Sequence, residues 1–250
     1  MMDLEGHNIL VTGASKGIGK SIALHLLEAN ARVGVHFNRS AQEANKIKRD
    51  YPLSETFQAD LSNADEVEIL FKRAIKQLGK LDTIVLNAGV FLPQSTAGTT
   101  KEWLDTWRKT MAINLESVGL ITKLGIEHFK STGGGRFIYI GSRAAFRGET
   151  EEYLAYAASK GGLTSLARTV ARSFGKYNIK SFVIAPGFTR TEMAEEAISK
   201  LGEEKILNEM ALKELTKPED IAPMVVLMSS GQMDHATGST VDFNAGSYIR

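Results

Sequence analysis

Tyr156 and Lys160 are four residues apart, a spacing that could carry acid–base chemistry. On a helix, residues four apart lie on the same face, so the phenol and the ammonium can act on one reacting group. A free phenol has a pKa of about 10 and a nearby cation favours the phenolate, so we expect Lys160 to lower the pKa of Tyr156. The same pair also occurs by chance on helix surfaces. Its assignment therefore depends on the rest of the chain.

The stretch from Gly13 to Gly19 reads Gly-Ala-Ser-Lys-Gly-Ile-Gly and could bind a phosphate. It follows an apolar run from Asn8 to Thr12, which predicts a buried strand, and it opens a helical pattern that reaches about Ala29. Glycines there let the backbone approach a pyrophosphate, whose charge the free N–H groups of the helix start stabilise. Such turns also occur for structural reasons, and the glycine spacing is not the commonest one. The strand-to-helix context nevertheless favours a dinucleotide site.

A second predicted strand, Arg32–Phe37, ends at Asn38, Arg39 and Ser40, where an adenosine ribose is expected. A site for the unphosphorylated cofactor carries an acid about 20 residues beyond the glycines. Arg39 occupies that position instead, and with Lys16 it could bind a 2′-phosphate, although either side chain could be only solvated. The sequence therefore predicts NADP (NADPH) as the cofactor.

Small or polar residues follow three further predicted strands, at 81–86, 136–140 and 181–185. Ligands bind at the carboxyl ends of strands in open α/β sheets. The residues at these ends are Asn87, Ala88, Gly89, Ser142, Pro186 and Gly187. Asn114 lies inside a helical pattern, where asparagine is mildly unfavourable, so it could mark a kink, a satisfied polar group or a site residue.

Predicted strands and helices alternate along the chain, which favours an α/β fold with a doubly wound parallel sheet in one domain over residues 1–250. Ser62, three residues before Asp65, is the predicted N-cap of one helix. The charged, loosely periodic segment at about 189–212 is expected to form a mobile helical cover over the cleft. Small residues beside Tyr156, such as Ala158 and Gly162, indicate close packing by another helix or a cofactor.

Composition argues against several other classes of protein. The 250 residues are 43% hydrophobic with a formal charge of +1, and the basic residues are scattered, so neither a nucleic acid nor a membrane surface is an expected partner. The chain has no cysteine, and its five histidines show no ligand spacing, so no metal is expected. Without a leader-like segment or an apolar run of about 18 residues, the protein is expected to be soluble and cytoplasmic.

Taken together, these motifs resemble the short-chain dehydrogenase/reductase family in its single-domain form, over essentially the whole chain. The resemblance implies a Rossmann-type fold with strand order 3-2-1-4-5-6-7, a nicotinamide cofactor and a homotetramer. It implies catalytic roles for Asn114, Ser142, Tyr156 and Lys160. The cofactor contacts expected from the motifs and the resemblance are Gly13, Ser15, Lys16, Gly17, Ile18, Gly19, Asn38, Arg39, Ser40, Asp60, Leu61, Asn87, Ala88, Gly89, Tyr156, Lys160, Pro186, Gly187 and Thr189.

By resemblance, the reaction is reversible hydride transfer between nicotinamide and a carbonyl or alcohol carbon. Ser142 would bind the carbonyl oxygen and Tyr156 would donate the proton. Lys160 would hold the nicotinamide ribose, and Asn114 would bind a water of a proton relay. Ser142 and Tyr156 are 14 residues apart (156 − 142), slightly more than in the family, which indicates a specialised substrate pocket. Tyr153 does not replace Tyr156, because Ala157 rather than lysine follows it four residues on.

The motifs and lengths are most similar to 3-oxoacyl-acyl-carrier-protein reductases of fatty-acid biosynthesis, so a 3-oxoacyl thioester is the first substrate expected. The scattered basic residues form no clear docking site for an acidic carrier protein. A sugar, polyol or other small-alcohol dehydrogenase is the alternative, and a cofactor sensor without turnover is a remote one. Sensors of this fold typically lose the tyrosine or the lysine, whereas this chain keeps both. The cover residues that could face an acyl chain are Phe188, Met193, Ala194, Ala197, Ile198 and Leu201.

Overall fold

The computed structural model describes residues 2–192, 194–195, 198 and 202–250. Seven strands form one sheet in the order β3-β2-β1-β4-β5-β6-β7, and every neighbouring pair is parallel. This confirms the predicted Rossmann-type fold and strand order. The strands are β1 (Asn8–Val11), β2 (Arg32–Phe37), β3 (Ser54–Gln58), β4 (Thr83–Leu86), β5 (Gly135–Ile140), β6 (Ile179–Pro186) and β7 (Thr240–Phe243).

Helices connect the strands and cover the sheet. A π-helical segment, Ala112–Glu116, joins the fourth helix to the fifth. The α-helices in the described part of the chain are α1 (Gly17–Glu28), α2 (Ala41–Asp50), α3 (Ala64–Leu78), α4 (Thr100–Met111), α5 (Ser117–Thr132), α6 (Ala144–Arg147), α7 (Leu154–Phe174), α8 (Glu203–Asn208) and α9 (Pro218–Ser229). No helix among these residues is long and apolar enough to cross a lipid bilayer.

The central strand β1 buries side chains on both faces of the sheet. Ile9 lies opposite Val33 of β2 and Thr83 of β4. Because successive side chains of a strand point to opposite faces, Ile9 and Val11 pack in the cluster that includes α1 and α9, and Leu10 packs with α3, α5 and α7. The sheet is therefore fixed from both sides, and its strand ends are held in place.

The start of α3 differs from the prediction by one residue. Asn63, not Ser62, is the N-cap: its Oδ1 accepts hydrogen bonds from the backbone N–H groups of Asp65 (3.0 Å) and Glu66 (3.4 Å). The Ser62 hydroxyl instead donates to Asp60 Oδ1 at 2.7 Å. Because this contact holds Ser62 in the turn before the helix, the cap falls on the next residue.

The predicted cover contains a small core of its own. Ile198, Ile206, Met210 and Leu215 are buried together, and a bridge joins Thr189, at the start of the segment, to Thr216, shortly after its end. Ile198 therefore packs inside the cover instead of lining a channel for an acyl chain. Three of the six cover residues predicted to face such a chain lie outside the described residues; they are Met193, Ala197 and Leu201.

Candidate active site

A cavity of about 470 Å³ opens at the carboxyl ends of the strands. Its size is within the range of about 300–1,000 Å³ that is usual for small-molecule sites. Among the predicted cofactor contacts, Arg39 and Ser40 do not line it, and Arg39 lies exposed beyond the end of β2. The predicted cofactor residues that do line it are Gly13, Ser15, Lys16, Gly17, Ile18, Gly19, Asn38, Asp60, Leu61, Asn87, Ala88, Gly89, Tyr156, Lys160, Pro186, Gly187 and Thr189.

The glycine turn is held against the end of β4. The Asn87 side chain donates hydrogen bonds to the backbone oxygens of Thr12 (2.8 Å) and Gly13 (3.0 Å). A Cβ atom at Gly19 would lie 2.2 Å from the Gly13 oxygen, so only glycine fits there. No described side chain caps the first N–H groups of α1. An uncapped helix start beside bare backbone suits the pyrophosphate of a dinucleotide, so these residues fit the cofactor that the resemblance implies.

His36 supports the same turn, and sequence analysis missed it. Its Nδ1 accepts a hydrogen bond from the Gly13 N–H at 3.0 Å, and its Nε2 then donates to the Ala59 oxygen at 3.1 Å. Burial lowers the pKa of His36 to about 4, so the ring is neutral at pH 7. The only signal in the sequence is a polar residue within the apolar strand Arg32–Phe37, which does not reveal a partner.

Of the two cations predicted to bind a 2′-phosphate, Lys16 lies at the exposed rim of the cavity and Arg39 does not line it. Lys16 forms an ion pair with Glu192 of the cover, with 2.7 Å between Nζ and Oε2, and this hydrogen bond raises the pKa of Lys16. Asp60, at the end of β3, accepts hydrogen bonds from the backbone and hydroxyl of Ser62, which lower its pKa. A phosphate at this rim therefore meets Lys16 only in competition with Glu192.

Three predicted catalytic residues meet at the other end of the cavity. Ser142 follows β5, and its Oγ accepts a hydrogen bond from the Ala144 N–H at 3.1 Å. Tyr156 and Lys160 come from the first turns of α7. Lys160 Nζ donates to the Ile140 oxygen at 2.8 Å, and burial lowers its pKa to about 8. A hydroxyl, a phenol and a buried ammonium thus face one space.

The predicted lowering of the Tyr156 pKa is wrong for the protein without cofactor. Burial raises the pKa of Tyr156 to about 12, while a hydrogen bond with the Ser142 hydroxyl acts in the opposite direction. Lys160 Nζ lies 5.8 Å from the centre of the Tyr156 ring and makes its hydrogen bond to Ile140. Because the ammonium is turned to a backbone oxygen, desolvation of the phenol dominates.

Asn114 does not line the cavity, and it lies in the π-helical segment between α4 and α5. Its Oδ1 accepts from the Val90 N–H at 2.8 Å, and its Nδ2 donates to the Val90 oxygen at 2.9 Å and to Ser159 Oγ at 3.2 Å. Asn114 therefore lies at an irregularity of the helix, and its side-chain amide has its hydrogen-bond partners. It joins the loop after β4 to α7, and its role in a proton relay stays a prediction.

Three residues missed by sequence analysis line the substrate end, namely Phe91, Arg143 and Glu149, and Phe188, which was predicted to face an acyl chain, lines the cavity as well. The Phe91 ring stacks on Tyr153, with 3.7 Å between centroids, and meets Tyr156 edge-on at 4.7 Å. Phe91 and Glu149 lie in irregular segments, and Arg143 lies at the start of the one-turn helix α6. Periodicity gives no side-chain direction at such positions.

In the described ranges, no group of three or more His, Cys, Asp and Glu residues could hold a metal.

A model of the short chain dehydrogenase family matches residues 7–202 of the chain. A 3-oxoacyl-[acyl-carrier-protein] reductase of Staphylococcus aureus, FabG, is 30% identical over 244 residues, which are 96% of this chain and 97% of the relative. An uncharacterized oxidoreductase of Thermotoga maritima is 30% identical over 254 residues, covering 98% and 99%. The chain belongs to the short-chain dehydrogenase family. It is an oxidoreductase of the kind that acts on CH–OH groups with a nicotinamide cofactor.

Two solved structures have the same fold over almost the whole chain. A dehydrogenase/reductase from Sinorhizobium meliloti 1021 superimposes with a TM-score of 0.88 at 26% identity, covering 99% of this chain and 97% of the other. A protein of Agrobacterium tumefaciens, proposed to be a gluconate dehydrogenase, gives a TM-score of 0.90 at 24% identity and covers 99% and 98%. At 24% identity, the similarity to the Agrobacterium protein shows the fold alone.

Proposed function

We propose that the chain is an NADP(H)-dependent oxidoreductase that interconverts a carbonyl compound and its secondary alcohol, with residues 1–250 acting as one catalytic domain. The observation that carries the proposal is that Ser142, Tyr156 and Lys160 meet at one end of a cavity whose other end is the glycine turn. The bound cofactor would supply or accept the hydride. The protein supplies the geometry and the proton.

In the reduction direction, Ser142 and Tyr156 act on the carbonyl oxygen. The raised pKa keeps the Tyr156 phenol protonated at neutral pH, so it can donate its proton as negative charge develops on that oxygen. Lys160, with a pKa of about 8, is mainly a cation at pH 7 and stabilises the phenolate that is left behind. Asn114 acts from behind the site, because its carboxamide fixes the backbone of Val90.

The preference for NADPH rests on charge at the adenosine end. The segment after β2 carries Arg39 and no acid, and Lys16 stands in the glycine turn. An arginine there can pair with a 2′-phosphate, whereas a carboxylate would bind the free 2′-hydroxyl. Arg39 is exposed and does not line the cavity, so it would have to turn towards the phosphate.

Two substrate classes are supported by different observations. A 3-oxoacyl thioester is supported by the similarity to FabG of Staphylococcus aureus and by Phe188 and Ala194 in the cavity wall. A small polar alcohol or oxo compound is supported by two charged residues, Arg143 and Glu149, at the substrate end. We propose a homotetramer in the cytoplasm for either case, as expected from the family resemblance.

A carbonyl and alcohol panel tests the proposal. Purified protein is mixed with NADPH and an acetoacetyl thioester or small oxo compounds, and with NADP⁺ and sugars or polyols, while cofactor absorbance is followed. We expect turnover with at least one class, and a thioester-only or a polyol-only response selects between the two. Tight cofactor binding with no turnover on any compound would instead favour a cofactor sensor.

A further inference from the structure

Arg143 is a buried cation in the wall of the active-site cavity. It follows Ser142 directly in the chain, and only 2% of the residue is exposed. Among the described residues, its Nη2 has no hydrogen-bond partner. A guanidinium carries five N–H donors, and a buried charged group without partners is destabilising. The position and the unsatisfied nitrogen therefore require an explanation beyond packing.

The contacts of Arg143 hold the guanidinium in one orientation. Nη1 donates a hydrogen bond to Ser247 Oγ in the C-terminal segment. The guanidinium carbon lies 4.9 Å from the centre of the Phe188 ring, so the cation packs on an aromatic face. A side chain fixed on two sides loses little further entropy when it binds a ligand. Such a group is preorganised for recognition.

The acid nearest to Arg143 holds it only weakly. Glu209 Oε2 lies 3.9 Å from Nη2, which is beyond hydrogen-bond distance. The same oxygen lies closer to Arg147, at 3.3 Å from its Nη1, and half of the Glu209 side chain is exposed. Exposed ion pairs of this kind contribute little free energy, so Glu209 can turn to solvent at small cost. Its place beside Arg143 is then open to another carboxylate.

The charges around this position favour an anion once Glu209 has moved. Arg143 and Arg147 face Glu149 and Glu209, so the group is neutral as it stands. Glu149 keeps its own contact with Arg147, 3.7 Å between Oε1 and Nη2. Without Glu209 the group carries one net positive charge. A planar carboxylate matches the fork of a guanidinium, and Glu209 shows that a carboxylate fits beside Arg143.

We propose that Arg143 binds the carboxylate of an oxo acid or hydroxy acid substrate, which displaces Glu209. This inference rests on the proposed oxidoreductase function and names its substrate class. In reduction, the carbonyl carbon gains the hydride of NADPH and the carbonyl oxygen gains the Tyr156 proton, giving a hydroxy acid and NADP⁺. The carboxylate is unchanged and serves as the handle that orients the substrate.

Matched pairs of substrates test the role of Arg143. Acetoacetate, levulinate and 5-oxohexanoate place one, two or three carbons between carbonyl and carboxylate, and each is paired with its methyl ester. We expect at least one acid to be reduced with a KM about tenfold or more below that of its ester, the effect of a hydrogen bond to a charged group. Equal KM values within every pair would overturn the inference.

Three variants separate recognition from folding. Arg143→Gln should raise the KM of the acid by about tenfold or more and leave the ester within about threefold. Glu209→Gln should lower the KM of the acid by up to about fivefold, because it removes the competing carboxylate. Ser247→Ala removes the hydrogen-bond acceptor that orients Nη1, so it should raise the KM of the acid less than Arg143→Gln does and leave the KM of the ester nearly unchanged. If Arg143→Gln changed acid and ester alike, Arg143 would be structural only.

A binding measurement separates this inference from the proposed function. Titration calorimetry of levulinate and its amide into the Tyr156→Phe protein with bound NADPH needs no turnover. We expect the acid to bind more tightly than the amide, and Arg143→Gln in this background to remove the difference. Binding of the acid without turnover by the wild type would contradict the function and leave the carboxylate site standing. Equal affinities for acid and amide would contradict the carboxylate site whatever the activity.

Discussion

The Lys160 ammonium lies 5.8 Å from the centre of the Tyr156 ring and donates its hydrogen bond to the Ile140 oxygen, not to the phenol. Burial moves the two pKa values in opposite directions, to about 8 for Lys160 and about 12 for Tyr156. In the protein without cofactor, the Tyr156 phenol is therefore neutral, and burial disfavours the charged form of Lys160 beside it. This arrangement has measurable consequences for stability and for titration.

Lys160→Met should stabilise the cofactor-free protein at pH 7. The pKa of Lys160 is about 8 in the folded chain and 10.5 when unperturbed, so the unfolded chain binds the proton more tightly. This destabilisation is complete below about pH 8 and disappears as the pH rises towards 10.5. We expect Lys160→Met to increase the free energy of unfolding at pH 7 by about 1–2 kcal/mol. This is less than the pKa shift of Lys160 alone implies, because the variant leaves the Ile140 oxygen without its hydrogen-bond donor.

Chemical denaturation of wild type and variant at pH 7 and pH 10 measures this effect. Lys101→Met is the control, because the Lys101 side chain is 85% exposed. The gain from Lys160→Met should shrink at the higher pH, and Lys101→Met should change little at either. A variant that is less stable than wild type at pH 7 would contradict the account of a strained cation.

Tyr156 should ionise well above neutral pH in the cofactor-free protein. Burial raises its pKa to about 12, so Tyr156 should still be protonated when exposed tyrosines have ionised near pH 10. The ultraviolet difference spectrum between wild type and Tyr156→Phe isolates its titration. Ionisation near pH 7 or 8 would show that Lys160 controls the phenol after all.

Arg39→Ala should weaken NADPH binding by about tenfold or more and leave NADH nearly unchanged, because only NADPH offers a 2′-phosphate to a charged donor. Arg49→Ala is a matched control on the exposed side of α2, where Arg49 pairs with Asp50. Fluorescence titration of both cofactors gives the affinities. If wild type bound the two cofactors equally, the assignment of NADPH would be refuted.

Parts of the site that depend on local pattern could be predicted from sequence. The strand, turn and helix around Gly13 follow from apolar runs and glycine spacing, and the Tyr156–Lys160 spacing follows from helix periodicity. The sheet order came with the family resemblance. The catalytic helix α7 then brings both side chains to the cavity without any further assumption.

Other parts depend on contacts between distant segments, which no local pattern encodes. His36 meets Gly13 across 23 residues, and the Arg143 guanidinium meets Ser247 across 104. The pKa of Tyr156 was wrongly predicted for the same reason. Helical spacing placed Lys160 on the correct face, but it did not reveal that Ile140 accepts the hydrogen bond of the ammonium.

Leu154→Glu should dissociate the proposed tetramer, because Leu154 begins α7, is 44% exposed and lies one helical turn from the exposed Ala158. By the family resemblance, this helix is expected to pack against its counterpart in a second subunit. Ile69→Glu on α3 is the control, since Ile69 is 54% exposed on a helix for which the resemblance implies no subunit contact. Sedimentation velocity at micromolar concentration should show a tetramer for wild type and control. A monomeric wild type would contradict the assembly.

Tyr156→Phe tests the central claim, that the phenol of Tyr156 donates the proton. Turnover of the best carbonyl of the panel with NADPH should fall by about 10²–10⁴-fold, the usual contribution of proton donation, while NADPH affinity stays within about twofold. Tyr153→Phe, which keeps the ring that stacks on Phe91, should retain most activity. A Tyr156→Phe enzyme with more than about a tenth of wild-type turnover would remove Tyr156 from the mechanism.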